Sequence, residues 1–381
     1  MVFVYEYFIT FVIAFIVTFS ATPVAKKVAF KIGAVDVPKD ERRMHKKPIA
    51  RLGGAAIVSG FLVSIVFSGL GLSFDINDIF PYARQILGFS AGMLIIVAMG
   101  ITDDIKPLKA KVKLACQIAA AIIVVASGTR INVVTNPFAS DGITVLSPYI
   151  SYPLTVFWIV GVANAMNLID GLDGLAAGVA SISSLSLFFV SLIWGRWEVA
   201  MVTAALAGAS LGFLPHNFNP AKIFMGEVGA AFLGFTLAVI SIPGTVKSYT
   251  AIAIAIPLLV LGLPIFDTLF AIIRRILNKK PIMQADKGHL HHRLIDMGLS
   301  QKQSVVIIYI LSAVLGLCAI VLADRGALSA IILVISVSIF VIAGAKFMAE
   351  MDDKDESEAE TDKTSSSVAI EHGLKKAENH K

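Results

Sequence analysis

Four short stretches of the chain carry side chains whose types and spacing could do chemistry. Asp103-Asp104 is an adjacent carboxylate pair followed by Lys106, Lys109, Lys111 and Lys113. Neighbouring carboxylates repel, so a metal ion or nearby lysines must offset them. A solvated loop with internal acid–lysine pairs explains this stretch as well as a site does. Asn164, Asn167, Asp170 and Asp173 recur at every third position. On a helix that spacing makes a slowly drifting stripe on one face. Gly171 and Gly174 predict that the stripe runs off a helix end into a tight turn. A helix N-cap at Asp170 or Asp173 would explain one of these residues, not four. In Leu214–Gly229, Gly226 and Gly229 bracket Glu227, a carboxylate at the start of an apolar run that needs a partner; the plainer alternative is a Pro/Asn/Gly turn. Finally, Asp286-Lys287-Gly288-His289-Leu290-His291-His292-Arg293 holds three of the chain's 7 histidines. No cysteine and no helical His-x-x-x-His pair supports zinc there. A cationic or hydrogen-bonding grip on a phosphate or sugar fits better, with His291 and His292 expected in solvent.

The elements that must position these residues are membrane helices. Of 381 residues, 56% are hydrophobic and 15% charged, against about 25% charged in soluble domains. A soluble enzyme is excluded, and so is disorder over most of the chain. Runs long enough to cross a bilayer fall at 2–23, 53–72, 85–101, 113–128, 153–169, 175–194, 199–214, 229–246, 250–273, 303–323 and 327–347. The first is not a cleavable signal: Glu6 precedes it, and Lys26 and Lys27 follow it. With the N-terminus outside, inner loops hold 21 Lys/Arg and outer loops five, a strong positive-inside bias. An odd number of spans then puts the C-terminus in the cytoplasm. The predicted fold is an all-α polytopic membrane protein of about eleven transmembrane helices. A short external hairpin is expected where Val133-Val134 and Ile143-Thr144-Val145 flank Asp141-Gly142. Residues 1–347 form the transmembrane catalytic domain and 348–381 a disordered cytoplasmic tail. Cys116 and Cys318 lie in apolar runs and read as packed thiols.

In this topology nearly every unusual polar residue falls at a cytoplasmic helix end. Charges scattered at mid-membrane would mark an ion pathway. Charges gathered at one face mark a site that meets a water-soluble substrate and a lipid headgroup together. The basic loop 26–51, with nine Lys/Arg, attracts anionic headgroups, although topology alone accounts for part of that charge.

Five stretches, in order, resemble the polyprenyl-phosphate N-acetylhexosamine-1-phosphate transferases (glycosyltransferase family 4): Arg51-Leu52-Gly53-Gly54, Asp103-Asp104, Asn164 through Gly174, Gly212-Phe213-Leu214 through Gly226-Glu227, and His289-Leu290-His291-His292. The histidine loop is similar to that of the GlcNAc-1-phosphate branch, which starts teichoic-acid, O-antigen and enterobacterial-common-antigen synthesis. The resemblance implies transfer of GlcNAc-1-phosphate from UDP-GlcNAc to undecaprenyl phosphate in the inner (cytoplasmic) membrane. The products are undecaprenyl-diphospho-GlcNAc and UMP, made at a site facing the cytoplasm. One departure stands out: the family usually reads Phe-Met-Gly-Asp-x-Gly-Ser, whereas Glu227 and Ala230 stand here for the Asp and the Ser.

The reaction joins two anions, so it needs charge neutralisation and positioning, for which Mg²⁺ is the natural clamp and Mn²⁺ a substitute. By resemblance Glu227 and Asn167 are metal ligands. Asp103 and Asp104 orient the lipid phosphate, bind metal or take its proton; Asp170 and Asp173 hold the nucleotide side of the donor. Asn217 and Phe224 contact uracil and ribose; His289, His291 and His292 grip the sugar or diphosphate. Lys113 balances the pyrophosphate, and Arg51 joins the substrate-binding set. Partners are UDP-GlcNAc, undecaprenyl phosphate and membrane lipid, with no nucleic acid, and a homodimer is compatible with the sequence. The competing readings are the same chemistry on another UDP-N-acetyl sugar, including lipid I formation, and a membrane transporter.

Overall fold

The computed structural model describes residues 4–37, 48–71, 82–135, 143–242, 255–277 and 289–325, with single positions at 329 and 335. Every element lies in the compact unit Met1–Ala327. In chain order these are α1 (Val4–Ile32), β1 (Val35–Asp36), β2 (Ile49–Ala50), α2 (Gly53–Gly71), α3 (Ala83–Ile105) and α4 (Ala110–Ala126). There follow β3 (Val133–Thr135), β4 (Ile143–Val145), α5 (Pro148–Ile169), α6 (Leu175–Ile193), α7 (Trp197–Asn217) and α8 (Gly226–Ile240). The last are α9 (Ala255–Val260), α10 (Gly262–Leu277), α11 (Leu290–Asp296) and α12 (Gln301–Arg325). The molecule is nearly all helical. Among the described residues, six helices (α1, α3, α5, α6, α7 and α12) are long and apolar enough to cross a membrane. The expected hairpin forms, with β3 antiparallel to β4 and Val134 opposite Thr144. The expected span 327–347 and the tail lie outside the described residues.

The core is organised around α8. Its residues 226–239 are all buried, and α2, α3, α5, α6 and α7 pack around it. A helix that is apolar all round belongs in such a position. Fifteen residues span only about 22 Å, so the helix begins inside the bundle, and Glu227 lies in its first turn. Small residues let its neighbours close on that turn. A side chain at Gly54 would overlap the backbone of Gly229, and one at Gly100 the backbone of Val228.

In two of the expected spans a proline frees a backbone carbonyl that finds a partner elsewhere. A proline removes the donor to the carbonyl four residues earlier, a serious loss in lipid. In α1, Pro23 frees Phe19 O, which lies 3.1 Å from His216 Nε2 of α7. Pro264 frees Val260 O, which accepts from Ser183 Oγ at 2.9 Å. The expected single span 250–273 is accordingly two helices, α9 and α10, that meet at Leu261.

The chain runs back and forth so that the ends of α1, α3, α5 and α7 and the starts of α2, α4, α6, α8 and α12 share one face. The five sequence stretches singled out above all fall at that face.

Candidate active site

At that face is a cavity of about 750 Å³, within the size range of small-molecule sites. Arg51, Asn167, Asp170, Asp173, Asn217, Phe224, Glu227 and His292 line it. Eight of the thirteen residues singled out by sequence thus share one concavity, although they come from four separate stretches. Asp103, Asp104, Lys113, His289 and His291 stand behind its walls.

The foot of α8 is one wall. Gly226 has φ +73, a left-handed conformation that side chains resist, and a Cβ there would meet Arg51 O and the Asp104 carboxylate. This turn docks on the Arg51-Leu52-Gly53-Gly54 stretch by backbone alone. Phe224 N donates to Ala50 O (2.8 Å), Gly53 N to Phe224 O (3.0 Å) and Gly54 N to Met225 O (2.7 Å). Asp104 then caps α8 from α3: Glu227 N donates to Oδ1 at 2.8 Å and Val228 N to Oδ2 at 3.2 Å. A carboxylate satisfies these first amides and complements the helix dipole. Arg51 Nη2 lies 3.8 Å from Asp104 Oδ1. Glu227, only 6% exposed, accepts from Asn167 Nδ2 on Oε1 (2.8 Å) and from Lys113 Nζ on Oε2 (2.9 Å). Lys113 also reaches Asp103 Oδ2 at 3.6 Å, and Asp103 Oδ1 accepts from Leu108 N at 2.8 Å.

The turn between α5 and α6 makes the floor. Asn164 and Asn167 are on α5, Asp170 is its C-cap, and Gly174 (φ +82) opens α6. The stripe therefore runs off the helix as expected. Neither aspartate caps α6, whose N-cap is Gly174 without a side-chain bond. Asn164 is turned from the cavity and donates to Gln117 Oε1 (2.7 Å) and Val160 O (2.8 Å). Asp173 Oδ2 accepts from Asn219 Nδ2 and Ala221 N, each at 3.0 Å. Asn217 takes Gly174 N on Oδ1 (3.1 Å) and gives Nδ2 to Ile223 O (3.0 Å), so its amide braces two loops while its edge lines the cavity. Among these acids, only the carboxylate of Asp170 makes no hydrogen bond with the described residues; its backbone N donates to Asn167 O at 3.3 Å. Loss of water and the nearby carboxylates of Asp104, Glu227 and Asp173, partly offset by Arg51, push its pKa up to about 7.

The histidine wall corrects one expectation. His292 lines the cavity, but His291 is not in solvent: it is 2% exposed, and its Nδ1 has no hydrogen-bond partner among the described residues. Burial and the neighbouring His292 lower its pKa to about 4. It is buried because Gly171 leaves room for it; a Cβ at 171 would come 2.5 Å from His291 Nε2.

The glycosyl transferase family 4 model matches residues 86–245. A probable undecaprenyl-phosphate N-acetylglucosaminyl 1-phosphate transferase of Bacillus subtilis is 40% identical over 314 residues, 82% of this chain and 84% of that protein. The chain belongs to glycosyl transferase family 4. A decaprenyl-phosphate N-acetylglucosaminephosphotransferase of Mycolicibacterium smegmatis is 33% identical over 302 residues, 74% of each chain. An undecaprenyl-phosphate alpha-N-acetylglucosaminyl 1-phosphate transferase of Salmonella typhi is 27% identical over 300 residues, 77% of each. With its apolar helices, this family-4 chain is a multi-pass membrane protein.

Three residues around this family-4 site are not assigned to a transferase from the sequence. Asn219 Nδ2 also donates to Gln301 Oε1 at 2.6 Å, tying the Asp173 loop to the start of α12. Tyr309 of α12 donates to Gly174 O at 2.6 Å. Asp267 of α10 holds the histidine loop: its Oδ2 is 2.8 Å from His289 Nδ1, and its Oδ1 accepts from Leu290 N at 2.7 Å. Only Asp267 left a signal, as a carboxylate inside an apolar run.

Proposed function

We propose that the chain transfers GlcNAc-1-phosphate from UDP-GlcNAc to undecaprenyl phosphate, the first membrane step of an envelope polysaccharide. An oxygen of the lipid phosphate attacks the β-phosphorus of the donor. The bond from that phosphorus to the oxygen bridging the two phosphates breaks, and UMP leaves. The observation that carries this reading is the single cavity at one helix-end face that gathers Arg51, Asn167, Asp170, Asp173, Phe224, Glu227 and His292. The names of the relatives point the same way.

The reaction needs little covalent chemistry from the protein. Arg51 and Lys113 supply positive charge beside the carboxylates, Phe224 offers a ring to the nucleotide, and His292 a donor to the sugar or diphosphate. An acceptor phosphate monoester has a second pKa near ~6, so it needs no obligatory base.

Mg²⁺ is the cofactor in this reading, with Mn²⁺ as its substitute. Among the described residues no cluster of three or more His, Cys, Asp or Glu is arranged as a metal cage. Mg²⁺ does not require one, because it binds through one or two carboxylates, waters and substrate phosphates. The donor set fits: Asp170 is unbonded beside Glu227, and both are oxygen ligands. Glu227, Asn167 and Asp170 would hold the ion, with the Asn167 amide turned to present its oxygen. When bound, it neutralises charge between the two reacting phosphates.

In this reading the protein lies in the inner membrane with eleven spans, the N-terminus outside and the site facing the cytoplasm, as the basic loops favour. The test is radiolabelled UDP-GlcNAc with membranes that contain the protein. Label in a lipid extract, with UMP released in equal amount, is expected. Label accumulating inside vesicles without UMP would replace the transferase with a transporter.

A further inference from the structure

We propose that Asp267 is a positioning residue of the transferase: it sets which ring nitrogen of His289 carries the proton, and so how the histidine wall meets the donor. The inference rests on the reaction proposed above. Asp267 and His289 are both buried from solvent, with side chains 9% and 8% exposed. Oδ2 lies 2.8 Å from His289 Nδ1, while Oδ1 accepts from Leu290 N at 2.7 Å. An ionised carboxylate only accepts, so the 2.8 Å contact requires the proton on Nδ1 and leaves Nε2 as the ring's other functional atom. One side chain from α10 thus does two things to a loop far along the chain: it caps the first amide of α11, and it fixes the ring at α11's N-cap.

The fixed ring is passed on by packing. His289 and His291 lie parallel, with ring centroids 5.8 Å apart and planes within 6°. His291 tilts against His292 at 4.3 Å, and His292 lines the cavity. His291 is wedged against Gly171, next to Asp170. The ring orientation set at Asp267 is therefore continuous, through three rings, with the wall of the cavity and with its floor. Nothing in the contacts of Asp267 touches the cavity, so it acts through His289.

An isosteric change separates the two jobs. In Asp267→Asn the amide oxygen can still accept from Leu290 N, which turns the NH₂ toward His289 Nδ1. Two donors cannot face each other, so His289 must move its proton to Nε2. The cap survives and the tautomer inverts. Asp267→Ala removes both. Turnover of UDP-GlcNAc and melting temperature are measured on the purified full chain and both variants in the same detergent. We expect Asp267→Asn to melt within about 2 °C of the parent and to lose about tenfold or more in kcat, the scale on which carboxylate partners of functional histidines act. Asp267→Ala should lose the activity and also melt about 2–4 °C lower. Asp267→Asn with undiminished kcat overturns the proposal, as does a loss of activity that only tracks a lowered melting temperature. The parent protein is assayed alongside, so absence of any transfer by the parent would instead count against the reaction itself.

Discussion

At the foot of α8, Asp104 and Glu227 have every carboxylate oxygen engaged, by two backbone amides, Asn167 and Lys113. Across the cavity floor, the Asp170 carboxylate accepts no hydrogen bond from the described residues. The acids have the same chemistry, stand in equally noticeable motifs and belong to one electrostatic cluster, yet one group holds the fold and the other is held in readiness. Residues whose oxygens are satisfied within the protein shape the site. A carboxylate left without a hydrogen-bond donor in a recess is open to a cation or a donor. Glu227 stands between the two: it is bonded only to side chains, Asn167 and Lys113, which a bound ion can displace.

The widest separation between these roles should appear at Glu227. Its charge offsets Lys113 and, in the proposed reading, would supply the cation site, so Glu227→Gln should lower turnover by about 100-fold or more, the scale of losing one fixed electrostatic contact to the reacting charge. Glu227→Asp keeps the charge on a shorter arm and should retain a measurable fraction with a higher Mg²⁺ requirement. The measurement is turnover against Mg²⁺ concentration for both purified variants. Near-normal activity in Glu227→Gln would move the ion to Asp170 and leave Glu227 as a fold residue like Asp104.

A second pair of variants tests the contrast directly. Asp104→Asn puts an NH₂ against one of the two α8 amides and should destabilise the protein by about 1–3 kcal/mol. Asp170→Asn breaks no bond. The sign of its effect follows from linkage: a carboxyl with a raised pKa binds its proton more tightly when folded, so the parent loses stability as pH rises from 3.8 to about 7. Asp170→Asn removes that loss, so at pH 7 it should melt at or above the parent while turnover falls by about tenfold or more. Melting curves at pH 7 decide this. An Asp170→Asn protein that melts lower than the parent would erase the distinction between the two acids.

The sequence made the helical runs, their shared polar face and the gathering of its motifs legible, because hydropathy and the three-residue stripe are local signals. What it hid was which atoms each polar side chain spends on the protein. Asn217 stands out in the sequence as a polar residue of the motif, but not as the amide that joins Gly174 N to Ile223 O. Asp104 is legible as half of an acidic pair, but not as the carboxylate on which α8 starts. Both partnerships are tertiary, joining residues far apart in the chain, and no spacing rule reaches them. His291 was expected in solvent because its neighbours are polar, and it is buried because Gly171, far away in sequence, leaves room for its ring. Pro264 accounts for the break of 250–273 into two helices, but no local signal shows that Ser183 answers the freed carbonyl.

The smallest expected effect belongs to His291 and extends the comparison to the histidine wall. Its pKa is lowered to about 4 by burial and by His292, against 6.5 for a free imidazole. Between those values the unfolded chain binds the proton and the folded protein does not. The unfolded state therefore holds more protons, and stability must rise with pH across the window from about 4 to 6.5 and fall on acidification. Below pH 4 both states are protonated and the contribution is fully lost; above 6.5 both are neutral and it is fully present. Other groups titrate in the same range, so the quantity to follow is the difference in melting temperature between the parent and His291→Gln, taken from pH 7 down to pH 4. The parent should lose stability faster than the variant over that interval, and the gap should stop changing above pH 6.5. Parallel curves would mean that His291 accepts a proton in place, which requires water or an acid at its unpartnered Nδ1 and would make it, like Asp170, a group held open toward the cavity.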